Sequence, residues 1–217
     1  MKATLLRLTA CSCVTLALNA CLWHEDVIVE APPIEPPPMV SPEGWGSRPD
    51  PMPLARKHVP RQITIHHAGV TWKPDDDPFK KILGLQEWGR REKGWPDVPY
   101  HFLIAPDGRI FKGRNLAYEG ETNTEYNTSG HALVQLWGNF EEQRVTTSQL
   151  RSAVHVAVWL CRNWNIKPTL IATHRDWSLL TVCPGEDLYR YFQDGSFRRW
   201  VREILDGETP DVRAQNR

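Results

Sequence analysis

The chain predicts an α/β fold in which a mixed central β-sheet is flanked by helices. Three observations predict it. Short apolar, β-rich runs recur at residues 61–67, 100–104, 132–137 and 169–172. Two later stretches instead carry apolar residues at helical spacing. The signals follow the order strand, helix, hairpin, strand, helix, strand, helix, the pattern of helices covering a sheet.

At 217 residues, with 41% hydrophobic residues, the chain suits one domain plus appendages. Its 26 Lys and Arg balance 26 Asp and Glu, so no basic excess points to nucleic acid. The leader reads as an export signal over residues 1–20. Lys2 and Arg7 precede an apolar run from Leu8 to Leu18. Leu18-Asn19-Ala20-Cys21 resembles the bacterial lipobox, which makes Cys21 the expected lipidation site; the alternative is a plain secreted chain with unmodified Cys21. Leu22 after the cysteine resembles an outer-membrane address in a Gram-negative source. Otherwise the cell surface is expected. Residues 21–43 then read as a Pro-rich linker, since repeated proline favours extended polyproline conformation. The folded domain is expected over 44–205 and a disordered tail over 206–217.

Within the domain, the β-rich run from Arg61, ended by Gly69, reads as a strand. Period 2 puts Thr64 and His66 on one face and Ile63, Ile65 and His67 on the other. Asp77-Pro78 caps a helix bearing Phe79, Ile82, Leu83 and Gln86 on one face and ending at Gly94. The run Asp75-Asp76-Asp77 is the acidic start expected from the helix dipole. Ala105-Pro106-Asp107-Gly108 joins two strands as a hairpin. Residues 115–130 form a long polar loop before the strand at 132–137. Thr146 and Gln149 make a capping box for a helix whose apolar stripe includes Leu150, Ala153, Val154, Ala157 and Cys161, so Cys161 reads as a core thiol. Glu186 opens a short helix, and Phe197, Trp200, Val201 and Ile204 mark the last one.

The chemistry centres on residues 172–185, where His174 and Cys183 stand nine positions apart around a polar turn. Both side chains ligate transition metals. His66 is the other strand-borne histidine in polar surroundings. Two imidazoles and one thiolate favour zinc over magnesium or calcium. Three protein ligands leave a fourth tetrahedral position open, the form of a catalytic site.

Five ordered blocks carry a family resemblance: Trp45-Gly46-Ser47-Arg48-Pro49; Ile65-His66-His67-Ala68-Gly69; Gly94-Trp95-Pro96-Asp97-Val98-Pro99-Tyr100-His101-Phe102; Asp107 to Arg114; and His174-Arg175-Asp176 through Thr181-Val182-Cys183-Pro184-Gly185. Together they resemble the peptidoglycan recognition protein and T7 lysozyme-type zinc N-acetylmuramoyl-L-alanine amidases. The resemblance implies one zinc per domain on His66 rather than His67, with His174 and Cys183. It implies Tyr100 and Thr181 as catalytic partners beside the ion. The implied reaction is hydrolysis of the amide between N-acetylmuramic acid and L-alanine in peptidoglycan or muropeptides, by a monomer. The alternative it leaves is a domain that binds peptidoglycan without cutting; the usual mark of the binders is loss of the cysteine, and Cys183 is present.

Three departures from the family pattern stand out. The His174–Cys183 spacing is one residue longer. Thr122 occupies a central-loop position where the family often has histidine, which makes it a candidate substrate contact. Gln135 stands where another amidase branch carries a glutamate beside the metal. Trp72 and Trp177 lie on loops near the site, where indoles can stack on sugar.

Overall fold

A computed structural model describes residues 32–215. The expected signal peptide and Cys21 lie outside these residues. Strands β1 (Met39–Val40), β2 (Gln62–His67), β3 (Phe102–Ile104), β4 (Ile110–Lys112), β5 (His131–Leu136) and β6 (Ile171–Thr173) form one sheet, ordered β1-β4-β3-β5-β2-β6. The strands β3, β5, β2 and β6 run parallel, while β4 is antiparallel to β3. The sheet is therefore mixed, as expected. Its longest ladder joins β2 to β5, from Gln62 opposite His131 to His67 opposite Leu136.

Among the described residues, five α-helices flank the sheet: α1 (Pro42–Trp45), α2 (Pro78–Trp88), α3 (Thr147–Trp164), α4 (Glu186–Gln193) and α5 (Ser196–Leu205). Strand alternation sorts the core into two layers. Ile63, Ile65, Val134 and Ile104 pack in a cluster with Leu150, Val154 and Ala157 of α3 and Phe197 and Val201 of α5. Leu103, Phe111 and Trp137 pack with Trp45 and Ile82 on the α2 side.

Local chemistry sets the element ends. Asp77 accepts a hydrogen bond from Phe79 N at the start of α2. A π-helical turn at Gly89–Lys93 then prolongs α2 to Gly94, which has φ 65°. Thr146 and Gln149 cap α3 reciprocally. Gly108, with φ +89°, closes the hairpin turn, its N–H donating to Ala105 O at 2.9 Å. That left-handed backbone favours glycine.

The structure corrects the expected boundaries. The domain starts before residue 44, because β1 pairs with β4 and Ser41 caps α1. Met39 and Val40 interrupt the proline run and restore the backbone N–H groups that proline lacks. Trp45 Nε1 then donates to Lys112 O at 2.6 Å and pins this segment to the sheet. The last strand begins at Ile171, after a 3₁₀ turn at Pro168–Leu170, so Leu170 is exposed. Leu83, expected on the buried face of α2, is 40% exposed, whereas Ile82 and Gln86 are buried. Residues 206–215 are ordered rather than a disordered tail. Val212 is buried and accepts a hydrogen bond from Arg151, while Ala214 N donates to Thr147 Oγ1. A single valine among charged neighbours gave no periodic signal. Among the described residues, no helix is long and apolar enough to cross a membrane.

Truncation after Leu205 is expected to lower stability by roughly 2 kcal/mol, through exposure of the Val212 contact and loss of its neighbouring hydrogen bonds. Urea denaturation checks this. An unchanged midpoint would mean that residues 206–217 contribute nothing.

Candidate metal centre

The site lies at the carboxyl ends of parallel strands, where open α/β sheets commonly bind ligands. β2 delivers His66, which is 1% exposed. His67 belongs to the opposite face, where its Nδ1 accepts from Phe140 N at 3.3 Å. The alternation thus separates the two neighbouring histidines. β6 ends in a turn at His174–Asp176. The Asp176 carboxylate accepts from Thr173 N at 2.7 Å and Thr173 Oγ1 at 2.8 Å, fixing the turn that presents His174.

Cys183 is held from several sides. Its carbonyl accepts from Arg175 N at 2.8 Å. Its own N–H donates to Thr181 Oγ1 at 3.1 Å. The next turn packs against Phe140. A Cβ on Gly185 would lie 2.6 Å from the Phe140 carbonyl carbon, and Gly185 has φ +85°, so only glycine fits. The longer His174–Cys183 segment bulges outward: Leu179 is 98% and Leu180 77% exposed. The bulge is tied down where Ser178 Oγ donates to Glu125 at 2.9 Å.

His66, His174 and Cys183 are all buried, with one ligand atom of each lying within 4.8 Å of the others. His66 Nδ1 is 3.7 Å from Cys183 Sγ. A tetrahedral zinc with ordinary Zn–S and Zn–N lengths would set sulfur and nitrogen about 3.6 Å apart. The donor set and its spacing fit zinc.

Burial also sets the protonation states. It drives His66 well below the ordinary imidazole range, with the His174 imidazole adding. It lowers His174 to about 4. Both are neutral at physiological pH, the form that ligates metal. Burial pushes the Cys183 thiol up to about 12, opposed by the His67 backbone N–H and by Arg175. Only the thiol must lose a proton when a metal arrives.

The expected partners fall into distinct places. Tyr100 sits with its ring 5.1 Å from that of His66. Its pKa is raised, first by burial and then by the Cys183 sulfur, with Gln135 opposing. Gln135, opposite His66 in the ladder, is buried, and its Oε1 has no hydrogen-bond partner among the described residues. Thr181 touches the backbone of Cys183. Thr122 faces a metal-site residue: its Oγ1 is 3.3 Å from His174 Nε2. Trp72 stacks on Trp137 at 5.7 Å and, with Ala68, Lys80 and Gln135, lines a cavity of about 310 Å³. Trp177 is 39% exposed and meets His131 edge-on at 5.0 Å. A separate cavity of about 460 Å³, lined by Phe102, Leu116, Trp159 and Trp164, touches none of the three metal-seeking residues.

Two residues at the site carried no sequence signal. Tyr126 Oη lies 3.2 Å from His66 Nε2, and Thr124 Oγ1 lies 2.6 Å from His174 Nε2. Both come from the aperiodic polar loop. That loop is anchored by Arg114, fully buried, which donates to the carbonyls of Val98, Glu119 and Asp97 and pairs with Glu121. Arg56 pairs with Glu119 and Glu121 as well.

Comparison with known proteins points to one family. The family model described as N-acetylmuramoyl-L-alanine amidase matches residues 56–186. Peptidoglycan recognition protein 1 of Mus musculus is 28% identical over 157 residues, covering 69% of this chain and 82% of its own length. The N-acetylmuramoyl-L-alanine amidase of Sus scrofa is 27% identical over 168 residues, covering 73% of this chain and 26% of that protein. The crystal structure of Drosophila peptidoglycan recognition protein SD shares the fold, with a TM-score of 0.64 at 24% identity, over 72% of this chain and 93% of that one.

Buried neutral histidines also make the metal-free protein acid-sensitive. Unfolded histidine takes up a proton near pH 6.5. In the fold, burial holds His67, His131 and His174 down to about 4 and His101 to about 3. Between these values the unfolded state binds more protons, so stability is expected to fall as pH drops from about 6.5 towards 4. Urea midpoints across that range check it; a flat profile would contradict the buried neutral assignment.

Proposed function

The chain belongs to the N-acetylmuramoyl-L-alanine amidase family, and we propose that it hydrolyses the amide between N-acetylmuramic acid and L-alanine in peptidoglycan or its fragments. The observation that carries this reading is the buried cluster of His66, His174 and Cys183. Three donors, rather than four, leave room for a reacting group, and an intact thiol argues for cutting over binding alone. On this reading the two neutral imidazoles and the Cys183 thiolate hold one zinc ion. Bound there, zinc supplies a water of pKa near ~7 and polarises the scissile carbonyl.

The protein's own groups do the rest. Tyr100 keeps its proton at neutral pH, because its pKa is raised. It therefore serves as a hydrogen-bond donor to the carbonyl oxygen as charge builds there, not as a base. Thr181 Oγ1 already accepts from Cys183 N, leaving its hydrogen to orient the attacking water. Gln135 Oε1 offers an acceptor on the floor beside His66, suited to an amide N–H of the substrate. The cavity lined by Trp72 and Trp137 takes the adjoining part of the muropeptide, with the indole faces as packing surface. The leader and Cys21 would place the domain outside the cytoplasm, tethered to a membrane through the Pro-rich segment and facing cell-wall substrate.

Incubation of zinc-loaded protein with muropeptides is expected to release a peptide with a new L-alanine amino terminus. Cys183→Ser should abolish release. Tyr100→Phe should cut kcat by about 100- to 1000-fold, the usual cost of removing one donor to a developing oxyanion. Binding without release would leave a recognition domain, and full activity in Tyr100→Phe would remove the tyrosine from the chemistry.

Zinc uptake at pH 7 should also release about one proton, from Cys183, with apparent affinity rising about tenfold per pH unit. Calorimetry in buffers of different ionisation enthalpy reads the proton count. A count near zero would mean the thiol is already ionised.

A further inference from the structure

The polar loop between β4 and β5 brings three hydroxyls to one side of the metal centre. Tyr126 Oη lies 3.2 Å from His66 Nε2. Thr124 Oγ1 lies 2.6 Å from His174 Nε2, and Thr122 Oγ1 lies 3.3 Å from the same nitrogen and 3.0 Å from Thr124 Oγ1. The opposite nitrogen of His66, Nδ1, faces the Cys183 sulfur. Both imidazoles thus have Nε2 turned to a hydroxyl of the same loop.

A neutral imidazole carries one N–H and one lone pair, on different nitrogens. The hydrogen bond made by one nitrogen decides which of them is left to ligate a metal. If Nε2–H donates to a hydroxyl, the lone pair is on Nδ1. If the hydroxyl donates to Nε2, the hydrogen sits on Nδ1 and opposes metal binding. A hydroxyl can play either part, so a further contact must fix the direction. At His66 it is the Cys183 sulfur, which faces Nδ1 at 3.7 Å and leaves the hydrogen to Nε2. At His174 it is the pairing of Thr122 with Thr124: one hydroxyl can donate to the other, leaving an acceptor for His174 Nε2–H.

We propose that Tyr126 and Thr124 are positioning residues that hold the hydrogen of His66 and His174 on Nε2, so that Nδ1 of each histidine ligates the ion. This rests on the metal reading above. Thr122, expected from the family pattern to touch substrate, also supports Thr124. The device is built into a braced segment. Arg56 donates to Gly120 O, Thr128 Oγ1 donates to the same carbonyl, and Ser178 ties Glu125 to the loop between the ligands. The loop therefore couples the orientation of two ligands that come from different strands.

The test measures zinc affinity by chelator competition on the full domain, with parent, Tyr126→Phe, Thr124→Val and Thr124→Ser. Loss of a group that orients a metal-binding histidine typically costs about 10- to 100-fold in affinity. Tyr126→Phe and Thr124→Val should each show such a loss, and Thr124→Ser should recover most of it. Side-chain ¹⁵N shifts of the metal-free protein give a second readout that packing alone would not move. Both histidines should be Nε2–H in the parent, with His66 shifting in Tyr126→Phe and His174 in Thr124→Val. Folded variants that bind zinc as tightly as the parent and keep the parent shifts would overturn the clamp alone. A parent that takes up no zinc would overturn the metal reading and the clamp's purpose with it.

Discussion

Three metal-seeking donors are buried where parallel strands end, with one ligand atom of each lying within 4.8 Å of the others. Much of the molecule serves that convergence. Burial makes the imidazoles neutral and the thiol hard to ionise, so without an ion the cluster gains little from being together. It persists because the backbone around it is over-determined. β2 carries His66 between β5 and β6, the Asp176 cap sets the His174 turn, and the Arg175–Cys183 backbone bond closes the loop between the last two donors. The loop can therefore lengthen outward at Leu179 and Leu180 without moving its ends.

The fold was largely legible in the sequence because its signals were local. Short apolar runs marked β2, with period 2, and β5, the Pro-Asp-Gly turn marked the hairpin, and the Thr146–Gln149 pair marked the start of α3. The same periodicity separated His66 from His67. What escaped depended on distant contacts. β1 is a two-residue strand among prolines and exists through its pairing with β4. The segment around Val212 is ordered by Arg151 and Thr147, far away in the chain. Neither has a pattern of its own.

The site was legible for a different reason. Metal ligands are few in kind, so His66, His174 and Cys183 stood out by chemistry and then by family resemblance. Tyr100 beside His66 followed from the same resemblance. Tyr126 and Thr124 did not stand out, since tyrosine and threonine in a polar loop are ordinary. Their role depends on Arg114 and Arg56 folding that loop back over the strand ends. Thr122 was expected near the site from the family pattern, and it lies there. Its hydroxyl reaches Thr124 and His174.

The metal centre is tested most directly by zinc-edge X-ray absorption on the purified, zinc-loaded protein. One sulfur at about 2.3 Å and two imidazole nitrogens at about 2.0–2.1 Å, completed by a light atom, are expected. A shell without sulfur, or a site closed by four protein ligands, would contradict it.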